Sequence, residues 1–160
     1  MANHSPPHYP DIGVLGEDLV AKWLQSHDWI ILHRRFSCRW GEVDIIAQQD
    51  SVLAFVEVKT RTAGSWDGGG RYAVNTRKQA KIWQTAEIFL AQHPDKADYS
   101  CRFDVAIIHC QFLTEQQTET IVNENKSKNN KNLFSLTTGK YCLLLQEYIP
   151  AAFDASTIEG

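Results

Sequence analysis

The spacing of apolar positions changes several times along the chain, and each change marks an element. Between residues 13 and 27, Val14, Val20, Ala21 and Leu24 fall on one stripe at helical spacing, which predicts a first helix. Asp28 to Phe36 switches to a compact apolar run, Trp29-Ile30-Ile31-Leu32, and predicts a strand. Gly41 to Arg61 then reads as two β-branched and aromatic strands joined by a polar turn at Gln49, Asp50 and Ser51. Asn75 or Thr76 is a suitable cap for a second helix reaching about Gln92. Its stripe is Ile82, Trp83, Ala86, Phe89 and Leu90, and His93-Pro94 stops it. Arg102 to Cys110 and Tyr141 to Ile149 predict a fourth and a fifth strand. The order helix, three strands, helix, two strands predicts an α/β domain. Strands one to three form a meander, and the second helix crosses over to bring strand four alongside. The result is a small mixed sheet flanked by helices, with the 41–61 hairpin at its centre.

The stretches between these elements are polar. Residues 1–12, with three of the five prolines, predict a disordered lead-in. Residues 62–74 hold Gly64, Gly68, Gly69 and Gly70, but no Gly-Lys-Ser/Thr follows, so the phosphate-loop signature fails. A flexible loop beside a site is expected there, with Trp66, Arg71 and Tyr72 either meeting a substrate or covering the core edge. Residues 111–140, rich in Asn, Gln, Lys, Thr and Ser, read as a mobile polar insertion, with a short strand at Thr120-Ile121-Val122. A single domain over 13–153 and a tail at 154–160 complete the organisation.

Composition narrows the function classes only slightly. A chain of 160 residues has room for one real core. No apolar run approaches the ~20 residues that span a bilayer, and Met1 to Pro10 lacks the basic start and apolar centre of a secretory signal. The four cysteines, Cys38, Cys101, Cys110 and Cys142, follow no Cys-x-x-Cys or zinc spacing. A reducing, cytoplasmic compartment without disulfides is expected. The net charge of -3 speaks weakly against nucleic acid, yet residues 22–81 hold ten Lys/Arg against six Asp/Glu.

The chemistry lies inside the hydrophobic hairpin. Glu57 and Lys59 share one strand face with Leu53 and Phe55, while Val52, Ala54, Val56 and Val58 line the other. The turn near residue 50 sets Asp44 opposite or diagonal to Glu57. A Glu-x-Lys on a solvated face is common, but here both faces are apolar. Two carboxylates and an ammonium in such a sheet are costly unless they satisfy one another or hold a cation. Glu17 sits on the core-facing stripe of the first helix, and two explanations stand open for it: the helix dipole or a role in the site. Glu42 is assigned outside the site, on the opposite strand face from Asp44. Arg34, Arg35 and Arg39 form a basic cluster before Gly41, readable as a solvated strand end or as phosphate contacts. Arg77, Lys78 and Lys81 crowd the first turns of the second helix, the wrong end for cations, which suggests an anion nearby.

Glu17, the run Gly41-Glu42-Val43-Asp44-Ile45-Ile46, the run Phe55-Val56-Glu57-Val58-Lys59-Thr60-Arg61, Lys78 and Arg102-Phe103-Asp104 together resemble the YraN-like group. Their layout resembles the PD-(D/E)xK nuclease pattern and is similar to archaeal Holliday junction resolvases. The resemblance covers about residues 13 to 110 and returns over Gln146 to Phe153. It implies a restriction-endonuclease-like fold, a three-layer sandwich with a central mixed sheet. It implies that Asp44 and Glu57 bind Mg2+ or Mn2+, with the Val58 carbonyl completing the set and Glu17 joining directly or through water. It implies that Lys59 orients the attacking water or stabilises phosphate charge. It makes Arg34, Arg35, Arg39, Arg61, Arg71, Arg77 and Lys78 candidates to contact nucleic acid. Magnesium chemistry agrees with such a set, since the ion takes hard oxygen ligands, keeps several waters and needs one or two carboxylates. The expected function is a metal-dependent endonuclease, structure-selective and acting on DNA in repair or recombination, with a homodimer implied by the junction-cutting relatives. The alternatives are a non-catalytic nucleic-acid binder and a protein-interaction scaffold on the same fold. Val43 stands where the pattern's proline would be.

Overall fold

The computed structural model describes residues 11–62, 75–117 and 134–153. Helix α1 (Ile12–Ser26) opens the fold. Asp11 caps it, its side chain accepting from the amides of Gly13 and Val14, so the ordered domain starts inside the stretch expected to be disordered. Strands β1 (Ile30–Cys38), β2 (Gly41–Gln49) and β3 (Val52–Thr62) follow as an antiparallel meander. Helix α2 (Thr76–Gln92) crosses over to β4 (Ser100–Phe112), which lies parallel to β3. Asn75 caps α2 by accepting from the Lys78 amide, and Pro94 begins a short 3-10 turn after its end. Strands β5 (Ser135–Thr138) and β6 (Tyr141–Phe153) complete a six-stranded mixed sheet in the order β1-β2-β3-β4-β6-β5.

The expectation of two strands after α2 is corrected to three. β4 runs two residues past Cys110, Leu113 is buried, and β5 pairs with β6 inside the stretch read as an insertion. Its Ser-Leu-Thr-Thr is short and polar enough to pass for loop, and only β6 beside it gives it partners. β6 continues to Phe153 by pairing Phe103 with Phe153, across register shifts that let Pro150 and Ala151 (φ 48°) sit within it. The expected strand at 120–122, and Trp66, Arg71, Tyr72 and the glycine run at 64–70, lie outside the described residues.

Strand alternation divides the core into two layers. On one face Ile45, Ala47, Ala54, Val56, Ala106 and Ile108 pack against Leu19, Val20 and Leu24 of α1. On the other, Ile46, Leu53, Phe55, Phe103 and Ile107 pack against Ile82, Ala86 and Phe89 of α2. One helix therefore covers each side of the central hairpin. Among the described residues no helix is long and apolar enough to cross a membrane.

Candidate functional site

The site forms where the meander loses its regularity. Strand β2 pairs with β3 from Gln49↔Val52 as far as Ile45↔Val56, and the ladder stops there. On the other side, β1 pairs Arg34 with Ile45 and Phe36 with Val43, skipping Arg35 and Asp44. Arg35 has φ 53°, a left-handed conformation that a non-glycine residue holds only at some cost. Alternation slips at the same point. Val43 packs on the α2 side, yet Ile45, two residues on, packs on the α1 side. Asp44 stands in this break, freed from both neighbouring ladders.

The Asp44 carboxylate uses that freedom to accept the Val58 amide of β3 at 2.7 Å. It is the amide of Val58, not its carbonyl, that the structure sets against Asp44. Glu57 follows the hydrophobic α2-side face of β3 and is 7% exposed. Lys78, from the first turn of α2, donates to Glu57 Oε1. Lys59 Nζ lies 4.0 Å from the same oxygen. Glu57 Oε2 is buried and has no hydrogen-bond partner among the described residues.

The electrostatics of the cluster follow from this geometry. Burial, then the Glu57 charge, push the Asp44 carboxyl up to about 7, against the opposing help of the Val58 amide; Glu17 adds to the rise and Lys78 moderates it. Burial depresses the Lys59 ammonium, and the neighbouring Lys78 depresses it further, through a hydrogen bond and repulsion. Burial works against the Lys78 ammonium too, but Glu57 outweighs it and raises that pKa. The anion called for by cations at the start of α2 is thus, for Lys78, a carboxylate of the sheet.

Glu17 is buried beside this cluster and engaged by arginine. Arg35 Nε donates to Glu17 Oε2 at 2.9 Å, and Arg34 Nη2 lies 3.6 Å from the same oxygen while donating to Asp18 at 2.9 Å. The left-handed turn at Arg35 lets two consecutive arginines reach α1, where an ordinary strand would send one to each face. Glu17 lies past the first turn of α1, so its place is explained by this pairing and not by the helix dipole. Arg34 and Arg35, expected as phosphate contacts, are therefore held on carboxylates. Arg39 lies over the Trp40 ring at the β1–β2 tip. Arg77 is at the exposed start of α2, Arg61 is half-buried near the end of β3, and Arg71 lies outside the described residues.

Glu42 stays away from the cluster, but not for the reason of strand alternation, which gives residues 42 and 44 the same side. It is exposed and accepts from the Ser37 hydroxyl at 3.0 Å. Among the described residues no three His, Cys, Asp or Glu side chains converge as a ready metal cage. What the cluster offers is two carboxylates, Asp44 and Glu57, with one oxygen unpartnered among the described residues and a carboxyl whose ionisation is opposed by burial and by the Glu57 charge. That donor set fits a hard, hydrated cation, which needs only one or two protein carboxylates.

A family model described as "Uncharacterised protein family UPF0102" matches residues 16–108, a span that contains Glu17, Asp44, Glu57, Lys59 and Lys78. A UPF0102 protein of Trichormus variabilis is 56% identical over 149 residues, covering 90% of this chain and 95% of its own. One from a Nostoc species is 57% identical over 149 residues, covering 90% and 94%. A third, from Trichodesmium erythraeum, is 45% identical over 159 residues, covering 89% and 88%. The YraN-like group to which the sequence pattern pointed is the one these matches show: the chain belongs to the uncharacterised protein family UPF0102.

Proposed function

We propose that this protein is a metal-dependent endonuclease that hydrolyses nucleic-acid phosphodiester bonds, with a restriction-endonuclease-like fold and DNA as its first candidate substrate. The observation that carries the reading is the pair of buried carboxylates at the break between β2 and β3. Among the described residues Glu57 Oε2 is buried without a partner, and Asp44 is pushed up to about 7 by burial and by Glu57. A site that served only the fold would not keep two carboxylates in mutual repulsion inside a hydrophobic sheet. The six-stranded mixed sheet with one helix on each side of the hairpin agrees with the fold the resemblance implies.

Asp44 and Glu57 would hold Mg2+ or Mn2+, with the Val58 carbonyl completing the set. Glu17, its Oε2 already on Arg35, would contribute through water. Such an ion supplies an acidified water and neutralises charge on the phosphate. The chain's own groups do the rest. Lys59 and Lys78 border the carboxylates and would offer positive charge to a phosphate's non-bridging oxygens. Action in repair or recombination, a cytoplasmic location and a homodimer belong to the same proposal.

The test is a cleavage panel of single strands, duplexes, flaps and four-way junctions, in DNA and RNA, with Mg2+ or Mn2+ at low salt. Metal-dependent cutting that disappears in Asp44→Ala protein is the expected result. Salt-sensitive binding without cutting would replace the enzyme by a nucleic-acid binder. Neither cutting nor binding would leave a protein-interaction scaffold.

A further inference from the structure

The tip of the β1–β2 hairpin carries a residue that neither the turn nor the core requires. Arg39 and Trp40 are the two residues between the paired Cys38 and Gly41. Gly41, at φ 145°, absorbs the backbone strain of the reversal, so the two tip positions are free to be any polar pair. Instead Trp40 is 36% exposed, one of three large hydrophobic side chains so exposed among the described residues. The Arg39 guanidinium carbon lies 4.7 Å from its ring centroid. Among the described residues no other ring or cation is stacked on it.

This tip is fixed to the helix that also serves the carboxylate site. Cys38 Sγ donates to the hydroxyl of Thr85 at 3.5 Å, and the Trp40 amide donates to Cys38 Sγ at 3.4 Å. Thr85 is fully buried in α2 and donates in turn to the Lys81 carbonyl at 2.8 Å. A Cβ built at Gly41 would stand 4.0 Å from Lys81 Cβ. One turn earlier on the same helix, Lys78 reaches Glu57. The indole is thus exposed on a braced mount, with Arg39 beside it, and the bracing helix carries Lys81 next to the tip and Lys78 at Glu57.

We propose that Trp40, with Arg39, is a stacking platform for an unstacked base of the nucleic acid processed at the Asp44–Glu57 site, so that the substrate is a strand with unstacked bases and not an intact duplex. The inference rests on the nucleic-acid reading above. Its physical basis is that a base inside a duplex has both faces covered by its neighbours, whereas a base in a single strand, flap or junction has a face to offer. The indole supplies the partner surface, the guanidinium and the two lysines attract the adjoining phosphates, and the brace to α2 keeps the ordering cost low.

Anisotropy titrations without divalent metal isolate binding from cleavage. The probes are a labelled blunt duplex, an oligo-dT single strand and a four-way junction, with the parent protein, Trp40→Ala and Trp40→Phe. The expected result is about 5- to 100-fold weaker binding of the single strand and junction by Trp40→Ala, in line with base–aromatic stacking. Duplex binding changes less than about twofold, and Trp40→Phe keeps most of the preference. Equal loss on all three probes, or no loss on any, overturns the platform while leaving nucleic-acid binding intact. If the parent binds none of the three at low salt, the nucleic-acid reading falls and this inference with it. Matching thermal melts of parent and Trp40→Phe ensure that the comparison reports the ring and not the fold.

Discussion

Asp44 is the residue at which stability and the proposed metal role oppose each other. Its carboxyl, pushed up to about 7 in the folded chain, has an unfolded value of about 3.9. Between those values the folded protein binds the extra proton, so stability falls as pH rises through about 4 to 7. The metal-free protein is expected to be more stable at pH 5 than at pH 8, by on the order of 3 kcal/mol at most. Asp44→Asn should flatten that dependence in urea titrations run across the range. At pH 8, Mg2+ at a hundredfold excess over its Kd should restore about 2.7 kcal/mol in the parent and little in Asp44→Asn. A parent whose stability ignores both pH and Mg2+ would contradict the raised Asp44 carboxyl and the metal assignment proposed for it. Lys78 is the compensating residue. Lys78→Met leaves the buried Glu57 with only the distant Lys59, and should cost about 1–2 kcal/mol, since the Lys78 side chain is 36% exposed. Adding Glu57→Gln to that variant should recover most of the loss, a coupling that a double-mutant cycle measures directly.

At the level of elements, α1 can lie close over β3 only because Gly16 lacks a side chain. A Cβ there would stand 2.2 Å from Thr60 Oγ1, far inside contact, while its distances to Thr60 Cβ and Ile108 Cγ1, 3.5 and 3.6 Å, are ordinary. The clash is with one hydroxyl. Gly16→Ala should therefore destabilise by about 1–3 kcal/mol in spite of its better helix propensity. Thr60→Ala in the same chain should remove the clash, and because the Thr60 hydroxyl is buried without a partner, its loss costs little. Thermal unfolding of the two single variants and the double variant decides it. If the double variant melts no higher than Gly16→Ala, the helix is held off the sheet by something other than that hydroxyl. The close approach matters for the site because α1 carries Glu17 to Arg35, and Arg35 holds the left-handed turn beside Asp44.

Across the whole molecule, the sheet is tied at its later strands by Asp104. This carboxylate is fully buried in β4 and completely engaged. It accepts from Arg102 at 3.1 and 3.2 Å, from the Tyr148 hydroxyl at 2.5 Å and from the Ala151 amide at 2.9 Å. The first of these donors also lies over Trp29, and Tyr148 stacks on Trp23 of α1, so one anion links β4, β6, the β1 entry and the first helix. Burial and the Asp104 charge push the Tyr148 hydroxyl up, which keeps it a donor at any physiological pH. Asp104→Ala strands those donors and should cost about 3–5 kcal/mol in chemical denaturation, and Tyr148→Phe about 1 kcal/mol. A near-neutral Asp104→Ala would mean that the β4–β6 ladder and apolar packing hold β6 to β4 without this carboxylate. Asp104 and Glu57 lie one residue apart in the β3–β4 register, since Val56 pairs with Asp104 and Glu57 with Val105. Among the described residues one acid is fully satisfied and the other is not, and the metal role proposed for Glu57 draws on that contrast.

The sequence by itself determined most of the architecture. Helical stripes, β-branched runs, the polar turn at residue 50 and the Asn75 and Pro94 boundaries are local signals, set by propensity and periodicity, and they place α1, β1 to β4, α2 and most of β6. They also brought Asp44 and Glu57 together, because a hairpin fixes which residues face each other. Only the tertiary structure decided the rest. The added strand β5 has no pattern of its own and exists because β6 lends it hydrogen-bond partners. The pairing of Lys78 with Glu57, of Arg34 and Arg35 with Glu17, and the mounting of Trp40 on α2 join residues far apart in the chain. The left-handed turn at Arg35 and the slip of alternation at Asp44 break the very periodicity from which a strand is read. Local spacing carries no record of long-range charge pairing, and a site made by interrupting a regular strand is legible only after the strand has found its neighbours.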